Sequence, residues 1–264
     1  MRAQAWLYFF HTNIPKKTGN DISIKEIQCT QSQDIKQDVL RSHCFHEKYS
    51  AASILETRRR VLESTLNQFF SETQYNYFQG CHSIASVLLT ITDQHSTLHL
   101  LKCLASTLLI EPFSTPHQTD ACCHAMMIKL AGVDSALRHF IDQSGIPILF
   151  SLSWLTTGFA HHLDKLSNIA RVYDWWFEHA DEPDALQWLG VALLVSHRSF
   201  ILSYECNLML LPCLTKLPHD ELDWDALIVQ AERYRRLNQE QAMKRNVTMS
   251  IMMIFVVACI WTIS

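Results

Sequence analysis

The chain has 264 residues, a formal net charge of −4 at pH 7, 48% hydrophobic residues, and only 6 Gly and 7 Pro. That length buries most of the surface an unfolded chain exposes, as one large domain or two small ones, and the acidic balance gives no electrostatic case for a nucleic-acid partner. Leu, Ala, Ile and Met are abundant without period-2 alternation, which argues against a sheet and predicts an all-α fold. The 9 Cys show no paired CxxC spacing and no secretory leader precedes them, so they read as reduced, mostly buried cytosolic thiols.

In chain order, Ala5-Trp6-Leu7-Tyr8-Phe9-Phe10 is too short for the apolar region of a signal peptide and is expected to pack a first helix. A polar loop with Pro15, Lys16, Lys17 and Gly19 follows, then a helix over Glu26–Arg41. That helix contains Ile35-Lys36-Gln37-Asp38-Val39-Leu40-Arg41, of the form IxxDxxR. Ile35, Asp38 and Arg41 are three apart and roughly share a face, so the carboxylate can steer the guanidinium while Ile35 anchors the turn; an ordinary solvated i,i+3 ion pair has the same spacing. Ser53 and Glu56 form a candidate capping box for the next helix. That helix carries Arg58-Arg59-Arg60, a solvated face or a contact for an acidic partner.

Tyr77-Phe78-Gln79-Gly80 lies between the apolar positions Leu62, Leu66, Phe69 and Phe70 and a second run from Ile84 to Leu89. The Gly lets the chain turn, and a side-chain amide that both donates and accepts can orient a water. A Tyr in the core with a Gln on a turn would read the same way. Further helices are expected over Asp93–Leu104, Cys122–Ile141, Leu166–Glu178, Ala185–Leu202, Leu208–Leu217 and Asp223–Leu237. Pro112 and Pro116 mark a loop, and Pro147 breaks the chain before a helix around Trp154. Among the 14 His, His95 and His99 have i,i+4 spacing, but no Glu follows His95 as in HExxH. Cys122-Cys123-His124 is a cluster without ligand spacing, and the adjacent His161 and His162 point to different faces. No metal site and, in the absence of a glycine-rich phosphate loop, no nucleotide site of its own is expected.

Residues 247–264 carry no charge and follow Lys244-Arg245. At ~1.5 Å per residue they span roughly 27 Å, a match for a thin bilayer such as that of the endoplasmic reticulum. The expected organisation is a cytosolic domain over 1–237, a polar and basic linker over 238–246, and a C-terminal transmembrane tail anchor over 247–264. The anchor would insert after synthesis and keep Lys244 and Arg245 cytoplasmic. In that topology the sequon at Asn246-Val247-Thr248 lies on the wrong side or too near the lipid; a buried core helix is the alternative.

In this order, IxxDxxR and YxQG resemble the TBC-domain family of Rab GTPase-activating proteins. Ser151–Leu155 with Phe159, then Arg171-Val172-Tyr173-Asp174, looks like that family's third block with its Trp and RxxD; Leu214–Pro218 is similar to a late family segment. Arg2 and Trp6 would fill the family's opening, and the likeness runs from about Arg2 to about Tyr234. The resemblance implies a multi-helix TBC fold whose Arg41 is an arginine finger and whose Gln79 takes over the water-orienting role of the Rab's own glutamine. Asp38 would orient Arg41, Tyr77 and Gly80 would shape the glutamine loop, and Arg171 and Asp174 would form an ion pair that docks helices. The cofactors, GTP and Mg, would be bound by the partner Rab.

The compact form with a C-terminal anchor resembles the subfamily of the endoplasmic reticulum, acting on Rabs of early secretory traffic; a Golgi membrane is the other location considered. Two departures stand out. Ser42-His43-Cys44-Phe45-His46 lacks the proline usual after the arginine, and Ser83 stands where relatives often have Asp. They support an alternative in which the chain is a membrane-anchored Rab-binding scaffold with weak or no activity. A metal-dependent hydrolase using the His and Cys residues is a third reading.

Overall fold

The computed structural model describes residues 2–13, 27–42, 52–73, 75–105, 115–204 and 207–263. The helices are α1 (Arg2–Asn13), α2 (Ile27–Arg41), α3 (Ala52–Glu72), α4 (Cys81–Ile91), α5 (Gln94–Leu104), α6 (Pro116–Val133) and α7 (Ser135–Gln143). After a 3-10 turn at Ile148–Ser151 come α8 (Leu152–Thr156), α9 (Leu166–Glu178), α10 (Ala185–Ser196), α11 (Arg198–Leu202), α12 (Asn207–Thr215) and α13 (Trp224–Ile263). No strand occurs among the described residues, so the expected all-α class is the observed one. Most of the expected polar loop, and Pro112, lie outside the described residues.

The helix boundaries follow local chemistry, and several differ from the sequence reading. Asp93 caps α5 by accepting from the Ser96 amide at 3.0 Å, and Thr115 caps α6 in the same way from Gln118, with Pro116 in the first turn, where its missing N–H costs nothing. The expected capping box at Ser53 does not form. The helix already includes Ala52, which places Ser53 inside it, and the Ser53 carbonyl accepts from the Thr57 hydroxyl. The single helix expected over Cys122–Ile141 is two, because Asp134 leaves helical geometry to cap α7 through the Leu137 amide at 2.9 Å. A break at His197 likewise divides α10 from α11.

At the centre lies α10, buried from Ala185 through Leu194 and packed most extensively against α13 and α6. Its periodicity is weak because it is apolar on every face, as a helix enclosed on all sides must be. A second aromatic layer joins α1 to α9. Trp6 and Phe10 both meet Phe177 edge-on, at 4.9 and 5.2 Å between ring centroids. Asp220, in the loop before α13, accepts from the Asp164 and Lys165 amides and from Asn168, which ties that loop to the start of α9.

α13 is one helix of 40 residues. It passes through 238–246 without a break, so the stretch expected to be a linker is helical. Its base is fixed by Arg235, which pairs with Glu182 and Glu232; that hydrogen bond holds the Glu232 carboxyl down at about 2. No helix among the described residues is long and apolar enough to cross a membrane. The expected tail anchor falls mostly on residues whose side chains lie outside the described ones; Met249 and Met253, which are described, are exposed.

Gly158 sets the turn between α8 and α9. Its φ of 55° is left-handed, and a Cβ there would meet Tyr173 at 2.9 Å and Trp176 at 3.0 Å. Gly158→Ala should therefore lower the unfolding free energy by about 2 to 4 kcal/mol, the sum of left-handed strain and overpacking. Equilibrium urea unfolding followed by tryptophan fluorescence measures it.

Candidate functional site

The site forms where α2 ends beside the loop that joins α3 to α4. Ile35 and Val39 are buried and bind α2 to the core, which fixes the rotation of the helix and turns Asp38 inward. Its side chain is 6% exposed, whereas that of Arg41, one turn on, is 66% exposed. The Asp38 carboxylate accepts from the Arg41 guanidinium at 2.5 Å through one oxygen and from the Tyr77 hydroxyl at 2.6 Å through the other. A hydrogen bond between residues 39 apart in sequence thus completes the partners of one buried carboxylate. A buried charge without partners would cost several kcal/mol, so both donors are needed for the fold as much as for any function.

Tyr77 is oriented by Phe70, whose ring meets it edge-on at 5.4 Å. Burial first, and then the hydrogen bond to Asp38, raise its phenol well above the usual range, so it remains a donor. Beyond it the chain turns, with the Cys81 amide bonded to the Phe78 carbonyl at 3.3 Å. Gln79 and Gly80 are the central residues of that turn; Gln79 is exposed, and Gly80 has φ 113° and ψ −26°. A positive φ at the second central position is what a type II turn requires, and only Gly meets it cheaply. Space makes the same demand. A Cβ on Gly80 would lie 3.1 Å from both the carbonyl and the hydroxyl of Thr156. Cys81, next in the chain, is fully buried, and burial pushes its thiol up to about 12.

Gln79 and Gly80 line a cleft of about 410 Å³ whose walls include His82, Ser83, Thr119, Leu149 and Thr156. Ser153, on the same wall, bonds His162 at 2.7 Å, and burial pushes the His162 imidazole down to about 4, leaving it neutral. Tyr173 donates to the Thr157 carbonyl at 2.8 Å. The segment from Ser153 to Thr157 therefore forms a rigid floor under the Gln79 turn.

Arg171 and Asp174 do not pair with each other. Arg171 reaches Asp225 on α13 at 2.5 Å, while Asp174 accepts from Arg2 and from the Trp6 indole, each at 2.9 Å. The expected ion pair between them does not form; Arg171 reaches α13 and Asp174 reaches α1. Among the described residues no cluster of His, Cys, Asp and Glu could hold a metal; His99 lies 3.8 Å from the Cys103 thiol.

The profile of the Rab-GTPase-TBC domain family matches residues 1–202. The chain belongs to this family. It is 23% identical over 238 residues to TBC1 domain family member 20 of Mus musculus, covering 88% of this chain and 58% of the relative. It is 29% identical over 127 residues to the GTPase-activating protein gyp10 of Schizosaccharomyces pombe, covering 47% of this chain and 34% of the relative. The chain thus spans little more than half the length of the first of these curated relatives. Among solved structures, the Ypt/Rab-GAP domain of Gyp1p superposes with a TM-score of 0.66 at 11% identity, covering 90% of this chain and 80% of that one. The Chlamydomonas flagellar RabGAP TBC domain gives a TM-score of 0.64 at 18% identity, covering 87% and 78%. At these identities the structural likeness establishes the fold.

Within the TBC domain, sequence reasoning missed His82, which touches Tyr77, and Thr156, which closes on Gly80. Neither carries a spacing that marks it. Their roles come from contacts between elements, and only the crowding at Gly80 could have hinted that something approaches closely there.

Removing the Tyr77 hydroxyl leaves the buried Asp38 carboxylate short of a donor. Tyr77→Phe should lower stability by about 1 to 3 kcal/mol with the helical far-UV spectrum retained. Paired urea titrations of the variant and the unaltered protein measure the difference.

Proposed function

We propose that this chain accelerates GTP hydrolysis by a Rab-family GTPase of early secretory traffic, with Arg41 as the arginine finger and Gln79 as the glutamine finger, both supplied in trans. The observation that carries the reading is the Asp38 carboxylate, which holds Arg41 on one oxygen and the tyrosine of the Gln79 loop on the other. Family membership and the similarity to gyp10, a GTPase-activating protein by name, support it. Charge gathers on the γ-phosphoryl group in the transition state, and an exposed guanidinium on a fixed helix end can neutralise it. An exposed amide on a glycine turn can both donate to and accept from an in-line water. GTP and Mg belong to the Rab, and the TBC domain adds only the two side chains.

We further propose a cytosolic domain over 1–237 continued by 238–246 into a membrane-spanning helix over 247–264 in the endoplasmic reticulum or Golgi membrane. The absence of charge from 247 to 264, the preceding Lys244 and Arg245, and the helical backbone through Ile263 support it. A lysine pair in the run, Ile254→Lys with Val257→Lys, should release the chain from membranes on carbonate extraction. Retention of that variant would remove the anchor reading.

The activity is tested by single-turnover GTP hydrolysis on a panel of purified Rabs with the full chain in detergent micelles. Stimulation of one or a few Rabs is expected, falling by on the order of 10³ in Arg41→Ala, the lower end of the scale for arginine fingers in Ras-type systems. Gln79→Ala should return the rate close to the unstimulated one while Rab binding persists. Undiminished stimulation by Arg41→Ala would refute the finger assignment. Rab binding without stimulation by the unaltered protein would favour a scaffold, the role that the departures at Ser42–His46 and Ser83 would explain.

A further inference from the structure

His82 sits in the first turn of α4, is 8% exposed, and has a wall position in the cleft that Gln79 lines. Its Nδ1 lies 3.1 Å from the Tyr77 hydroxyl and 3.4 Å from the same Asp38 oxygen that Tyr77 reaches. A phenol has one hydrogen to give. That hydrogen goes to Asp38, at 2.6 Å, because the carboxylate is the stronger acceptor. The Tyr77 oxygen can then only accept from His82, so Nδ1 must carry a hydrogen. This is the less common neutral tautomer or the imidazolium; either way the ring is a donor on this side.

The contact also closes a loop. Tyr77 stands two residues before Gln79 and His82 two residues after Gly80, so the Tyr77–His82 bond spans the turn that carries the glutamine and fastens its two ends together. The same bond fixes the direction of the Tyr77 hydroxyl toward Asp38, and Asp38 fixes Arg41. We infer that His82 is a positioning residue for both fingers: it donates through Nδ1 to the Tyr77 hydroxyl and thereby couples the Gln79 turn to the Asp38–Arg41 pair. This rests on the finger assignment proposed above. It assigns a role to a residue that is neither part of the IxxDxxR run nor of the YxQG run, and that touches no reacting atom itself.

The experiment uses the full chain in detergent micelles with the Rab it stimulates. His82→Ala should lower kcat by about 10- to 100-fold, the cost of misplacing a catalytic group by about an ångström, with KM for the Rab·GTP complex unchanged. His82→Asn, whose amide nitrogen falls near the position of Nδ1, should restore kcat to within about threefold of the unaltered protein. In a Tyr77→Phe background His82→Ala should cost nothing further, since the hydroxyl through which it acts is gone.

A second readout needs no activity. In the free protein the ¹⁵N signal of His82 Nδ1 should be of the protonated type, and a pyridine-like Nδ1 would overturn the inference. So would unchanged kcat in His82→Ala, or equal loss in His82→Ala and His82→Asn. If stimulation is lost in Arg41→Ala but untouched in His82→Ala, the finger assignment stands and the role of His82 falls. If no Rab is stimulated by the unaltered protein while Nδ1 is protonated, the finger assignment falls and with it the catalytic consequence of the contact.

Discussion

A single buried carboxylate, Asp38, sets the conditions for everything around it. An ionised group that is 5% exposed is tolerable only when charge-assisted hydrogen bonds replace its lost hydration. One oxygen takes a guanidinium from its own helix, which leaves Arg41 aimed outward from the end of α2. The other takes a phenol from a loop far along the chain, which leaves Gln79 exposed on the turn that follows. Loss of either donor leaves one carboxylate oxygen short of a hydrogen bond. The geometry of the candidate site is therefore enforced by the stability of the fold rather than held by surface side chains that are free to wander.

Carboxylates also join helices at α9. Asp174 gathers Arg2 and the Trp6 indole, and Arg171 reaches Asp225, so α9 is tied to both α1 and α13. These differ in weight. The Arg171–Asp225 pair is exposed and contributes little to stability by itself, whereas Asp174 satisfies an indole N–H that is enclosed by Phe177 and Tyr173. Aromatic rings and the Asp174 carboxylate together join α1 to α9.

Between these two centres the backbone does the positioning. Gly80 lies against Thr156, Thr157 accepts from Tyr173, and Gly158 turns the chain beneath Tyr173 and Trp176. The Gln79 turn thus rests directly on the segment that carries the third block of family motifs, and that segment rests on α9. An exposed side chain on a loop gains its place from such a floor, because a loop by itself has too few buried contacts to define it. The conformational freedom of Gly80 is spent on close approach to Thr156, which is why no other residue fits there.

Much of this was legible in the sequence. The helical class followed from composition and from the spacing of apolar residues, since a period of 3.6 is a local property of the chain. The bounds of α9 and the helical partnership of Asp38 with Arg41 followed from the same periodicity, and the order of IxxDxxR and YxQG sufficed to indicate the family. What remained hidden depended on meetings between distant elements. The spacing of Arg171 and Asp174 invited a pair, yet each found a partner on another helix. Ser53 had the chemistry of a cap but lay two positions past the cap of α3, and Asp134 divided a helix by accepting a local amide that periodicity does not register. That Tyr77 would turn its hydroxyl to Asp38, and that His82 would join them, was decided by tertiary structure alone: a hydrogen bond between residues 39 apart has no signature in sequence spacing until folding brings α2 and the loop before α4 together.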